Sequence, residues 1–300
     1  MVSARHLVGA SVGLLADRAL GEPPDDVHPV AAFGQLMGEV EDRLWADRRD
    51  RGVVFAGTGV LLGAGTGWAV GSTAAAVGVA AAGRMLRRTA SGVAEHLRAD
   101  DLAGARAALP ALVGRDPSEL DRRGVAAAVV ESVAENTVDA VVAPALWGAA
   151  FGAPGALGHR AINTLDAMVG HHRPRYERFG WASARADDVA NWVPARATAA
   201  LVALARPGRA AQVLEAVHRG ACHHPSPNAG VAEAAFAGAL GVELGGPLRY
   251  GGRAEDRPRL GAGPRPEVAD IERAIALESH IEWLLVGLLG LGAGLRWRRR

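Results

Sequence analysis

The chain of 300 residues contains no lysine, so all 33 of its Lys+Arg cations are arginine. A P-loop lysine, a pyridoxal Schiff base and a lysyl-adenylate intermediate are thereby excluded, and phosphate contacts fall to arginine forks, backbone amides, hydroxyls or metal. One cysteine, Cys222, excludes an internal disulfide framework and fits a reducing compartment. A net charge of +1 gives no reason to expect nucleic-acid binding. No convincing small-residue cleavage site follows the first apolar run, so no signal peptide is expected. Internal repeats and long alternating strand patterns are also missing.

Alanine, valine, leucine and glycine dominate instead. A hydrophobic content of 49% and a slightly positive mean hydropathy point to partial membrane residence. The uncharged run Val53–Gly83 exceeds the ~20 residues that cross a bilayer as a helix but is too short for two spans, so one transmembrane helix is expected; a buried helix pair of a soluble protein is the alternative. A second uncharged run, Ala140–Gly158, is interrupted by Pro144 and Pro154 and reads as kinked or re-entrant. Trp283–Leu295 is too short for an ordinary span. The closing Arg296, Arg298, Arg299 and Arg300 place the C-terminus on the cytoplasmic side. Arg84–Leu112 reads as an amphipathic helical pair, and Pro247–Pro266, rich in Gly, Pro and Arg, as a loop or lid. The expected fold is all-α: a polytopic integral membrane helical bundle forming one domain over residues 1–300, with extramembrane helices and motif-bearing loops.

Five polar stretches stand out. In ESVAENTVDAVVAPALW, Glu131, Glu135 and Asp139 recur every four residues and would share one helix face. Like charges so placed repel, which suggests a Mg²⁺ or a basic substrate group between them, or else a solvated face. DRALGEPP, followed by His28-Pro29-Val30, forces a turn after an apolar helix and holds Asp17, Glu22 and His28 near it. In RAINTLDAMVG, Arg160, Asn163 and Asp166 fall together on a helix, as a metal-bridged phosphate site or a polar stripe with local ion pairing. RADDVANWVPAR offers Asp187, Asp188 and Asn191 as hard oxygen ligands of the type Mg²⁺ prefers. In CHHPSPNAG, Ser226 or Asn228 can cap a helix starting near Val231, whose N-terminus suits an anion; zinc finds no second ligand pair there, and adjacent His171-His172 diverge on a helix.

Taken in order, DRALGEPP with HPV, ESVAENTVDAVVAPALW, RAINTLDAMVG, YERFGWASARADDVANWVPAR, HPSPNAG and AGALGVELGG resemble the adenosylcobinamide-phosphate synthase family of cobalamin biosynthesis. The departures are Val138 and Ala140 around Asp139 and the doubled His171-His172. The resemblance implies a multi-pass inner-membrane enzyme, a carbon–nitrogen ligase. Its reaction would join a corrinoid, adenosylcobyric acid, to aminopropanol or its phosphate at the expense of ATP, and other proteins of the pathway are expected to associate with it. On that reading Glu131, Glu135, Asp139, Asp187 and Asp188, with Asp166, hold Mg²⁺ against nucleotide phosphates. Arg160, Asn163, Arg185, Asn191, Arg196, Ser226 and Asn228 bind substrate and phosphate. His28 or His224 takes the proton from the attacking amine, with Glu135 and Asp166 beside the chemistry. Two rival expectations are a Mg-dependent membrane transferase acting on a lipid diphosphate and a non-enzymatic corrinoid-binding membrane protein.

Overall fold

The computed structural model describes residues 3–22, 28–114, 116–170, 174–250 and 253–298, with backbone alone for 247–250 and 253–256. In chain order the helices are α1 (Ala4–Leu20), α2 (Pro29–Leu44), α3 (Arg49–Val70), α4 (Thr73–Ala80), α5 (Gly83–Arg98), α6 (Leu102–Ala108), α7 (Arg122–Thr137), α8 (Ala143–Phe151), α9 (Ala153–Val169), α10 (Trp181–Ala190), α11 (Trp192–Ala205), α12 (Ala210–Gly220) and α13 (Ala229–Leu240). Strands β1 (Leu244–Tyr250) and β2 (Arg253–Leu260) precede the last helix, α14 (Val268–Trp297). The expected turn at Pro23-Pro24, the His171-His172 pair and the closing Arg299 and Arg300 lie outside the described residues. The chain forms two compact units from interleaved stretches. Unit 1 comprises Met1–Ala82, Asp139–Pro194 and Leu285–Arg300, and unit 2 comprises Gly83–Val138 and Ala195–Leu284.

In unit 1, α3 lies along α9 and turns its glycines inward. Gly52, Gly59, Gly63 and Gly67 are buried, whereas Leu61, Leu62, Trp68 and Val70 are exposed, Trp68 by 80%. A Cβ on Gly63 would fall 2.5 Å from Ala161 Cβ, and one on Gly59 2.7 Å from Leu165 Cδ1, so the two backbones approach too closely for any larger residue. Small residues thus line the packed side of α3 and large apolar residues its outer side. At the α2 end of this pair, Met37, Phe55, Leu165, Val169 and Phe179 form a buried cluster.

The uncharged run Val53–Gly83 is not one helix. Gly71, at φ +66, ends α3 in the left-handed conformation that glycine adopts without Cβ strain, and Ser72 caps α4 by accepting the Ala75 N–H at 3.3 Å. Two helices, α3 and α14, are long and apolar enough to cross a membrane. The short apolar run Trp283–Leu295 proves to be the C-terminal part of α14, which continues from a polar N-terminal half.

Unit 2 is built conventionally. Helix α5 buries Leu86, Ala90, Val93, Ala94 and Leu97 at helical spacing and sets Arg88 and Arg98 outside. Helix α13 is buried along its whole length and packs against α7 and α12. Residues 244–260 correct the all-α expectation, because the expected loop is an antiparallel hairpin in which Leu244 faces Leu260. Its Gly and Pro content hides the strands, and Gly245 and Gly246 at positive φ accompany a register irregularity that periodicity does not signal. The chain is thus nearly all-α, 79% helical.

Candidate functional site

Unit 1 brings three distant motifs together around the α9 arginine. Arg160 feels the charges of Glu22 and Asp139. Asn163, one turn further along α9, donates from Nδ2 to Asp139 Oδ2 at 3.1 Å. Glu22 Oε2 lies 3.6 Å from His28 Nε2, both side chains being almost fully buried. His28 is also the N-cap of α2: its Nδ1 accepts the Val30 N–H at 3.1 Å, where Pro29 removes the competing amide. The cap occupies Nδ1 and leaves Nε2 on the side of Glu22.

The Arg160 guanidinium differs from its surroundings. It makes no hydrogen bond among the described residues, and its Nε is enclosed without an acceptor. Burial, which outweighs the favourable charges of Glu22 and Asp139, pulls its pKa below the ordinary arginine value. A cation held near two carboxylates but hydrogen-bonded to neither is suited to grip an incoming anion. Asp166, three residues beyond Asn163 on α9, sets its carboxylate against Gly170 at the end of the helix.

Also in unit 1, Asn191 Nδ2 donates to Asp187 Oδ1 at 3.0 Å, and Asn191 Oδ1 lies 2.8 Å from His159 Nε2. Arg185 and Asp188 form an exposed pair one turn apart at 3.2 Å, the weak kind of surface contact.

Unit 2 holds a second polar cluster. Arg196 Nη1 donates to Asn228 Oδ1 at 2.9 Å. Ser226, not Asn228, caps α13, its Oγ accepting the Asn228 and Ala229 N–H groups at 3.3 and 3.1 Å. Buried His224 has Glu233 Oε2 at 3.8 Å and Arg257 Nη1 at 3.4 Å from its Nε2. Its Nδ1 lies 3.1 Å from the Ser226 N–H and 3.2 Å from the Ser226 carbonyl, contacts that demand opposite tautomers.

Helix α7 passes into a π-helical turn at Val138–Val142 before α8, and the carboxylates of the expected stripe divide between the two units. Asp139 joins unit 1 while Glu131 and Glu135 belong to unit 2. Buried Glu131 accepts the Gly245 N–H at 2.8 Å and so anchors β1, and Glu135 is exposed. Among the described residues no three His, Cys, Asp or Glu side chains converge as a metal site. His159, Glu233 and Arg257 join the clusters without having been singled out for a role, since their partners lie far away in sequence.

Comparison with known proteins agrees over nearly the whole length. The sequence pattern of the CobD/Cbib protein family matches residues 10–278. A relative named "Cobalamin biosynthesis protein CobD" from Mycobacterium tuberculosis is 47% identical over 306 residues, covering 98% of this chain and 96% of that protein. Proteins of the same name from Rhodobacter capsulatus and Brucella suis are 46% and 39% identical, covering 89% and 94% of this chain and 90% and 95% of their own lengths. No solved structure matches.

Proposed function

Because the chain belongs to the CobD/CbiB family, we propose that it is an enzyme of cobalamin biosynthesis that joins adenosylcobyric acid to (R)-1-aminopropan-2-ol or its O-phosphate, with ATP supplying the driving force. The product is adenosylcobinamide or its phosphate. The amide forms between the corrin propionate carbonyl carbon and the amine nitrogen, and the displaced carboxylate oxygen leaves on the phosphoryl group that activated it.

The observation that carries this reading is the convergence of Glu22, Asp139, Arg160 and Asn163 from three separate motifs in unit 1. Arg160, with its donors unmatched among the described residues, is assigned to an anionic oxygen of the substrates, and Asn163 to holding Asp139 in place. Mg²⁺ commonly takes one or two protein carboxylates and completes its shell with phosphate and water. Asp139 and Asp187 each supply a carboxylate beside an asparagine and fit that open role, though the residues form no closed cage. When bound, the ion would neutralise phosphate charge.

The glycine-inside, leucine-outside packing of α3 supports residence in the inner membrane, with α3 and the end of α14 facing lipid. Arg296 and Arg298 favour a cytoplasmic C-terminus. The test is amide formation by purified protein given adenosylcobyric acid, aminopropanol phosphate and Mg²⁺, with and without ATP, read by mass spectrometry. An ATP-dependent corrinoid amide is expected. Corrinoid binding by folded protein without product, with either amine, would instead favour a binding protein.

A further inference from the structure

The line of contacts that ends at His159 defines the state of its ring. Asp187 is a carboxylate and only accepts, so the Asn191 amide must turn its nitrogen to Asp187 and its oxygen to His159. An amide oxygen also only accepts, so His159 Nε2 carries the proton. With no acceptor beside Nδ1 among the described residues to take a second proton, the ring is neutral and Nδ1 holds a lone pair.

That lone pair has no partner. His159 is 2% exposed, and Nδ1 is enclosed without a hydrogen-bond donor among the described residues. Buried polar atoms are almost always paired, and the exceptions call for a reason. Here position supplies one. His159, Asn163 and Asp166 are spaced one and two turns apart on the same side of α9, and Asn163 already holds Asp139.

We propose that His159 belongs to the substrate site of unit 1 and accepts, through Nδ1, a hydrogen bond from the amino group of the amine substrate. The proposal rests on the function argued above. Carboxylate and phosphate groups bring only acceptors to a lone pair, whereas the amine brings N–H donors and a positive charge that Asp139, held by Asn163, also favours. Asp187 and Asn191 are then positioning residues, which hold the tautomer and the ring plane.

Two measurements test this. In wild-type protein carrying ¹⁵N-histidine, with the His159 signals identified by their loss in His159→Gln, Nε2 is expected to be protonated and Nδ1 bare. The Nδ1 resonance should move on adding 1-aminopropan-2-ol phosphate and stay still with propan-2-yl phosphate, which lacks the amine. A protonated Nδ1, or an Nδ1 unmoved while the amine demonstrably binds, would overturn the proposal. The second measurement is calorimetric. His159→Gln keeps a donor for Asn191 but deletes the Nδ1 acceptor, so it should bind the amino phosphate roughly 10-fold or more weakly while binding propan-2-yl phosphate and adenosylcobyric acid unchanged. Equal amine affinity in the folded variant would overturn the proposal alone. Wild-type protein that binds neither amine would overturn the proposed function along with it. Should His159→Gln not fold, its signals are assigned from His159→Asn and the wild-type spectrum decides.

Discussion

Arg87 in unit 2 and Arg160 in unit 1 each sit among two carboxylates, yet their charges are met in different ways. Arg87 Nη1 donates to Glu278 at 2.8 and 2.9 Å and to Glu282 at 2.7 Å, both glutamates being almost wholly enclosed. Burial pulls its pKa down most strongly of any single influence, but the two glutamates together raise it above the ordinary value. Arg160 has Glu22 and Asp139 nearby without a hydrogen bond to either, and its pKa falls. A satisfied buried arginine is a cross-link that ties α14 to α5. An unsatisfied one keeps its donors for something that arrives.

The units differ in packing in a parallel way. All the exposed large hydrophobic residues belong to unit 1 except Met85, Leu204, Leu214 and Trp283. Unit 1 buries glycine and shows leucine and tryptophan, whereas unit 2 buries leucine and valine and shows arginine. The first pattern suits lipid and the second water.

The sharpest way to break the contrast is through the cross-link. Arg87→Gln leaves two enclosed glutamates short of their cation and should cost about 3–5 kcal/mol, seen as a large fall in the thermal midpoint. Gly63→Leu drives a side chain into Ala161 and the Leu157 carbonyl and should cost about 3 kcal/mol. Leu61→Ala, on the exposed face of the same helix, should change stability by less than about 0.5 kcal/mol when measured in detergent. Asn163→Ala releases Asp139 and is expected to lower turnover roughly 10-fold with a thermal midpoint close to that of wild type.

The smallest effect is one of pH. Asp101 caps α6, and the Gly104 N–H, then His96, hold its carboxyl below the usual carboxylate range. Its folded pKa is depressed, so its contribution is present above the unfolded pKa and is lost as pH falls through the folded one. Acid titration of wild type should therefore show a slightly steeper loss of stability than that of Asp101→Asn.

Much of this was legible in the sequence. The pair α5 and α6 followed from apolar spacing, and the cap at Ser226 was one of two local candidates. Arg160 and Asn163 were legible as a pair because they lie one turn apart. What was not legible depended on tertiary partners: Glu131 anchoring β1 through Gly245, and His159 meeting Asn191 from another helix. The π turn after Thr137 had no signal in the sequence, and strands built from Gly, Pro and Arg showed no alternation to read.

Arg160→Gln tests the central claim most directly when its turnover and thermal midpoint are measured beside those of Arg87→Gln. An arginine reserved for substrate predicts a turnover at least roughly 100-fold lower with stability changed by less than about 1 kcal/mol, the reverse of the cross-linking arginine. Stability lost to the extent seen for Arg87→Gln, with turnover per folded molecule retained, would contradict it.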